Sequence, residues 1–102
     1  MFYISVFDAK DDISRDDINK EREQWLKDDK DKVFQSKCKS IKRYEVVGLS
    51  PLRIFFVIET DDPTALNMLS SHFGNAWNSI AYPVVQREIV EALEEDRAVI
   101  GG

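Results

Sequence analysis

The sequence has few of the residues that mark several classes of small protein. Its 102 residues include one cysteine, one histidine, three prolines and four glycines. A single cysteine, Cys38, cannot close an intrachain disulfide, so a disulfide-stapled secreted scaffold is excluded. No apolar run approaches the roughly 18 residues of a membrane span. No segment has the composition of a linker, so we expect one domain over residues 1–102.

Basic charge is also in deficit, with 14 lysines and arginines against 19 acids and a net charge of −5. This balance argues against non-specific binding to nucleic acid. The first eight residues reach an acid at Asp8 without a basic segment, unlike a signal peptide. With the single cysteine, these features predict a cytoplasmic protein. One cluster of cations has no acid between its members, and it is interpreted as a solvated helix end or as an anion contact: Lys37, Lys39, Lys42 and Arg43.

The spacing of apolar residues predicts four strands with helices between them. The strands are predicted at 2–8, 42–48, 52–60 and 79–88. A helix begins after Ser14, which can cap it, while Asp17 supplies the acid of a capping box. A break or a second short helix is expected within 28–36. The order β-α-β-β-α-β predicts an α+β, ferredoxin-like sandwich with a four-stranded antiparallel sheet.

The C-terminal half contains one further helix and an acidic end. That helix opens at Asp61 or Asp62 and stops at Gly74. Residues 88–102 are predicted to form an acidic helix or tail. Its apolar residues Ile89, Val90 and Leu93 recur at helical spacing, and we expect them to pack on a partner copy of the chain.

The run from Ile54 to Ile58 is apolar at every position, which is typical of a strand covered on both faces. The predicted helices cover one face of the sheet only. Leaving the other face in water would be unfavourable by about 25 cal/mol per Å² of apolar surface. The sequence therefore predicts a homodimer that pairs sheet against sheet.

The order of elements and the strands with two apolar faces resemble those of the dimeric α+β barrel superfamily. The segment from Ser71 to Trp77, which leads into Ile80–Val85, resembles the passage from the helix to the final strand in several small barrel proteins. This superfamily includes muconolactone-isomerase-like, antibiotic-biosynthesis-monooxygenase-like and stress-responsive barrel proteins, and the resemblance spans residues 2–89. It implies a dimeric barrel and a cleft between sheet and helices that several members use for small aromatic or polyketide-like ligands. The resemblance does not identify a catalytic residue in this sequence.

Two residues with ionisable side chains are candidates for catalysis or ligand binding in such a cleft. His72 is interpreted as a general base or a haem or metal ligand, or as a histidine without a role. Arg22 lies within the apolar stripe of the first helix and could hold a carboxylate or phenolate through two hydrogen bonds. Alternatively, Arg22 extends to solvent or pairs with Asp29 or Glu23.

The aromatic candidates for ligand binding are Tyr3, Tyr82 and Trp77. A tyrosine in a cleft can donate to a developing oxyanion, although strand tyrosines are often half-buried packing residues. Trp77 is interpreted as a stacking wall or as a core anchor. Cys38, between two lysines, is either a reactive thiol or an inert small apolar residue. No spacing of His, Cys and acids fits zinc or iron, so no metal and no cofactor are predicted.

The predicted function is binding of a small aromatic or lactone-like molecule in the sheet–helix cleft of a homodimeric barrel. One alternative is a cofactorless isomerase or monooxygenase-type enzyme, with His72 as acid and base and Arg22 or a tyrosine holding the anion. A second is a haem protein with His72 as axial ligand. A third is an RNA-recognition module built from the same order of elements, which the acidic charge disfavours.

Overall fold

The structure, a computed structural model, describes residues 1–100. Its elements are β1 (Phe2–Ala9), α1 (Arg15–Lys27), α2 (Lys30–Ser36), β2 (Ser40–Glu45), β3 (Arg53–Glu59), α3 (Thr64–Phe73), β4 (Trp77–Val84) and α4 (Ile89–Ile100). Within these residues, no helix is both long and apolar enough to cross a lipid bilayer.

The four strands form one antiparallel sheet in the order β2-β3-β1-β4. The two strands richest in apolar residues, β1 and β3, take the centre, where both of their faces can be covered. Strand β4 lies at an edge, which is where a strand tolerates Pro83 because no ladder hydrogen bond is lost. The predicted α+β fold is confirmed: the sheet order and the helix crossovers are ferredoxin-like.

The predicted break in the first helical segment is also present. Asp29 takes a left-handed conformation, with φ of 56°, between α1 and α2. The Ser14 side chain accepts a hydrogen bond of 3.1 Å from the Asp17 backbone amide, as its cap position predicts. Both edge strands begin two residues earlier than predicted, at Ser40 and Trp77, and both also end earlier, at Glu45 and Val84. β4 begins earlier because Trp77 pairs with Ala9, and β2 ends before the turn at Gly48, whose φ is 76°.

The core lies between the sheet and helices α1, α2 and α3. Each of these elements contributes buried apolar side chains: Phe7, Ile18, Trp25, Phe34, Ile54, Ile58, Leu69 and Trp77. At the end of β3, the fully buried Thr60 hydroxyl donates to the Lys37 carbonyl at 2.6 Å. The same hydroxyl accepts from the Asp62 amide at 3.0 Å, which fixes the start of α3 against the turn after α2.

The opposite side of the sheet, which we call the open face, is also apolar. Because side chains alternate along a strand, the register places one set of residues together on this face: Phe2, Ile4, Val6, Tyr44, Phe55, Val57, Ile80 and Tyr82. Helices α1 to α3 pack on the other side. The apolar residues Ile89, Val90 and Leu93 of α4 are themselves exposed.

Candidate functional site

A cavity of about 340 Å³ lies between the sheet and the helices. Its walls are mostly apolar, and the aromatic rings among them come from both layers of the fold: Phe7, Trp25, Phe34, Phe56, Phe73 and Trp77. Leu26 of α1 also lines the cavity, and 62% of its surface is exposed. Leu26 therefore marks the outer rim, where the cavity opens to solvent.

Trp25 shapes the helix side of this cavity. Its indole N–H donates a hydrogen bond of 2.9 Å to Asp31 Oδ1. Its ring packs against Phe34 at 5.9 Å and Phe73 at 5.2 Å between ring centroids. The break at Asp29 redirects the chain, so that α2 can bring Asp31 and Phe34 back to Trp25. The local sequence between the two helices therefore builds one wall of the cavity.

Four charged side chains line the cavity: Arg22, Asp31, Arg43 and Glu45. One oxygen, Glu45 Oε1, accepts from Arg43 Nη2 at 2.8 Å and from Arg22 Nη2 at 3.4 Å. The Arg43 guanidinium also lies 6.0 Å from the centre of the Phe56 ring, within the range of a cation–π contact. Burial lowers the pKa of Arg22, the nearby Arg43 lowers it further, and Glu45 opposes both.

The structure brings two of the predicted site residues, Arg22 and Trp77, to this cavity. The partner of Arg22 is Glu45, from the neighbouring edge strand, rather than Asp29 or Glu23. Of the tyrosines, Tyr82 lies on the open face, on the other side of the sheet. Tyr3 is half-buried between Ile58 and Pro83 of the adjacent strands and is not part of the cavity lining within residues 1–100.

His72 packs on the helix side of the fold, with its ring 5.1 Å from that of Trp25. Its Nδ1 lies 3.0 Å from Lys30 Nζ, and its Nε2 lies 2.9 Å from the Glu21 carbonyl oxygen. A lysine ammonium can only donate and a carbonyl can only accept, so these partners select the tautomer with the proton on Nε2. His72 thus joins α1, α2 and α3, and its catalytic role stays a prediction.

Sequence reasoning missed Asp31 and Glu45 as part of the site and gave Arg43 only as one of a basic cluster. The sequence does contain an indication for two of these residues. Arg43 and Glu45 are two residues apart on one strand, so their side chains lie on the same face of the sheet. The contact between Arg22 and Glu45 could not be predicted from local sequence patterns, because 23 positions separate the two residues along the chain. Burial raises the pKa of the Cys38 thiol, which favours the inert interpretation of that residue.

No family model matches the sequence, and no characterised protein matches it. Solved structures do match. A dimeric ferredoxin-like protein of unknown function from Thermobifida fusca is 11% identical with a TM-score of 0.47, over 81% of this chain and 89% of its own. An antibiotic biosynthesis monooxygenase is 15% identical with a TM-score of 0.47, over 84% of this chain and 100% of its own.

A third match, the protein At3g17210 from Arabidopsis thaliana, is 10% identical with a TM-score of 0.46, over 86% of this chain and 98% of its own. The chain is similar to ferredoxin-like proteins. The names of two of these structures, a dimeric ferredoxin-like protein and an antibiotic biosynthesis monooxygenase, are among those of the family that the sequence resembles.

Beside this ferredoxin-like core, one carboxylate oxygen of a half-buried glutamate is shielded from water. Glu21 Oε2 is buried and has no hydrogen-bond partner within residues 1–100. Burial is the largest cause of the raised pKa of the Glu21 carboxyl. Because the pKa is then higher in the folded chain than in the unfolded one, stability falls as the pH rises through the folded value.

We therefore expect Glu21→Gln to raise the melting temperature at pH 7 by about 2–5 °C, because the substitution removes the charge from a carboxylate whose buried oxygen has no hydrogen-bond partner in the described residues. The gain should shrink as the pH falls from the raised folded pKa of Glu21 toward about 4.3, the pKa of an unperturbed glutamate, and it should be absent below that pH. Thermal unfolding followed by circular dichroism measures both. Glu23→Gln, an exposed acid on the same helix, is the matched control and should change little. A lower melting temperature for Glu21→Gln at pH 7 would contradict this account.

Within residues 1–100, no three His, Cys, Asp or Glu side chains converge in a way that could hold a metal ion.

Proposed function

We propose that this protein binds a small, largely aromatic molecule in the cavity between its sheet and helices, and that it does so as a homodimer of the α+β barrel type. The observation that carries the proposal is the cavity of about 340 Å³ with six aromatic side chains in its walls. Ligand pockets are typically apolar clefts of about 300–1,000 Å³ with a few polar groups that orient the ligand. This cavity has that size, that lining and four charged groups.

The dimer is supported by the open face. Contiguous apolar side chains on three neighbouring strands are unusual on a monomer surface and typical of an interface. A second copy offers the same surface, so two open faces can pack on each other around a two-fold axis. We extend the proposal to α4, whose exposed Ile89, Val90 and Leu93 would pack on the partner. The single free cysteine supports a reduced, cytoplasmic setting.

A neutral fluorescent probe, N-phenyl-1-naphthylamine, tests binding in the cavity. The expected result is saturable enhancement of its fluorescence by the unsubstituted chain. Leu26→Trp places a large side chain at the rim of the cavity and should weaken binding by at least about tenfold. Because Leu26 is largely exposed, the substitution leaves the core intact.

Val33→Trp, an exposed apolar position on α2 outside the cavity, is the matched control and should stay within about twofold of the unsubstituted chain. Equal binding by Leu26→Trp and the unsubstituted chain would show that the probe lies elsewhere. That outcome would overturn the proposal.

A further inference from the structure

We infer that the ligand of this cavity is an aromatic monocarboxylate, whose carboxylate binds to Arg22 and Arg43. This inference rests on the proposed function and adds the chemical class of the ligand. The observation behind it is that two arginine side chains at the cavity share one carboxylate, that of Glu45.

Two guanidinium groups share a single carboxylate oxygen. Arg22 and Arg43 both donate to Glu45 Oε1. The other hydrogen bond of Arg22 within residues 1–100 goes to Asn19 Oδ1, at 3.3 Å. Each guanidinium has five N–H groups in a planar fork that matches a planar carboxylate. Both arginines therefore keep donors for an additional anion.

The remaining charged group of the cavity does not supply that anion. Asp31 Oδ1 accepts from the Trp25 indole, and its Oδ2 accepts from the Gln35 side-chain amide at 2.7 Å. Its two oxygens are thus directed toward neutral donors on the helices. Locally, the two positive charges of Arg22 and Arg43 therefore share one negative charge, that of Glu45.

The electrostatic environment of Arg22 favours the binding of an additional anion. Burial is the largest cause of its lowered pKa, the charges of Arg43 and Arg15 lower that pKa further, and the charge of Glu45 opposes them. The Arg22 side chain is 31% exposed and that of Arg43 is 41% exposed. Partial shielding from water strengthens charge-assisted hydrogen bonds, so one bound carboxylate would be held more firmly here than at an open surface.

The aromatic walls explain why the rest of the ligand would be a ring system. Phe56 lies directly beneath the Arg43 guanidinium, and Trp25 and Phe7 line the same space. A planar body inserted among these rings would leave a carboxylate attached to its edge at the level of the two arginines. The aromatic walls of the cavity would thus contact the ring system of the ligand, and the two arginines would bind its carboxylate.

The test compares two ligands of closely similar shape, the anion 2-naphthoate and its neutral amide 2-naphthamide, by isothermal titration calorimetry. The unsubstituted chain should bind the carboxylate at least about tenfold more tightly than the amide. Arg22→Gln should reduce this preference to about threefold or less, because the carboxylate loses more affinity than the amide when the guanidinium is removed. Glu45→Gln should increase the affinity for the carboxylate by about threefold, because a competing anion is removed.

Lys20→Gln is the matched control, since it removes one positive charge from an exposed position on the same helix. It should keep the preference for the carboxylate. Equal affinities for both ligands in the unsubstituted chain would overturn the inference and leave the proposed binding function standing. Loss of the preference in Lys20→Gln would also overturn it, because the effect would then be one of overall charge. Failure of both ligands to bind would contradict the proposed function together with the inference.

Discussion

Replacing Trp25 with alanine is expected to lower the free energy of unfolding by about 3–5 kcal/mol, the range for removal of a large buried aromatic side chain. Trp25 is buried, and its ring contacts Phe34, His72 and Phe73. These three residues lie on α2 and α3, so the indole is the point at which three helices meet. A small domain has a total stability of only about 5–15 kcal/mol, so this single change should bring the fold close to its limit.

Urea unfolding followed by far-ultraviolet circular dichroism measures the loss. Trp25→Phe keeps a ring but removes the N–H that donates to Asp31, and it should lose about 1–2 kcal/mol. Leu26→Ala, at the exposed neighbouring position, should stay within about 0.5 kcal/mol of the unsubstituted chain. A loss below about 1 kcal/mol for Trp25→Ala would show that the helix layer is not held together through this ring.

The sequence predicted the fold because its local signals agree with one another. The cap at Ser14, the continuous apolar run from Ile54 to Ile58 and the stop at Gly74 each act over a few residues, and all are found in the structure. The start of β4 was predicted too late because it depends on pairing between Trp77 and Ala9, which are far apart in the chain. Propensity and spacing contain no information about such a register.

The site was predicted only in part, for a related reason. Arg22 was recognisable because a charge inside an apolar helical stripe is unusual on local grounds alone. Glu45 and Asp31 stand in stretches rich in other charges, so only the folded chain shows that they reach the same cavity. His72 attracted a catalytic interpretation as the single histidine of the chain. The structure places its two ring nitrogens on Lys30 and on the Glu21 carbonyl, contacts that join helices.

Replacing Ile80 with lysine is expected to convert the proposed homodimer into a monomer. Ile80 lies on the open face, where the register places it beside Val6 and in one row with Phe55. In a single chain, 58% of its surface is exposed, so a lysine there meets water and leaves the core of the protomer undisturbed. In a dimer that pairs open face to open face, two lysines would be buried among apolar side chains without a partner charge, which is strongly unfavourable.

Native mass spectrometry and sedimentation velocity at micromolar concentration distinguish the two states. The unsubstituted chain should have a mass near twice 11.8 kDa, and Ile80→Lys should have the mass of one chain. Val33→Lys, an exposed apolar position on the helix side, introduces the same charge and should remain dimeric. A monomeric unsubstituted chain would contradict the barrel. A dimer that tolerates Ile80→Lys would place the interface elsewhere, because a buried and unpaired lysine is incompatible with sheet-to-sheet packing at this position.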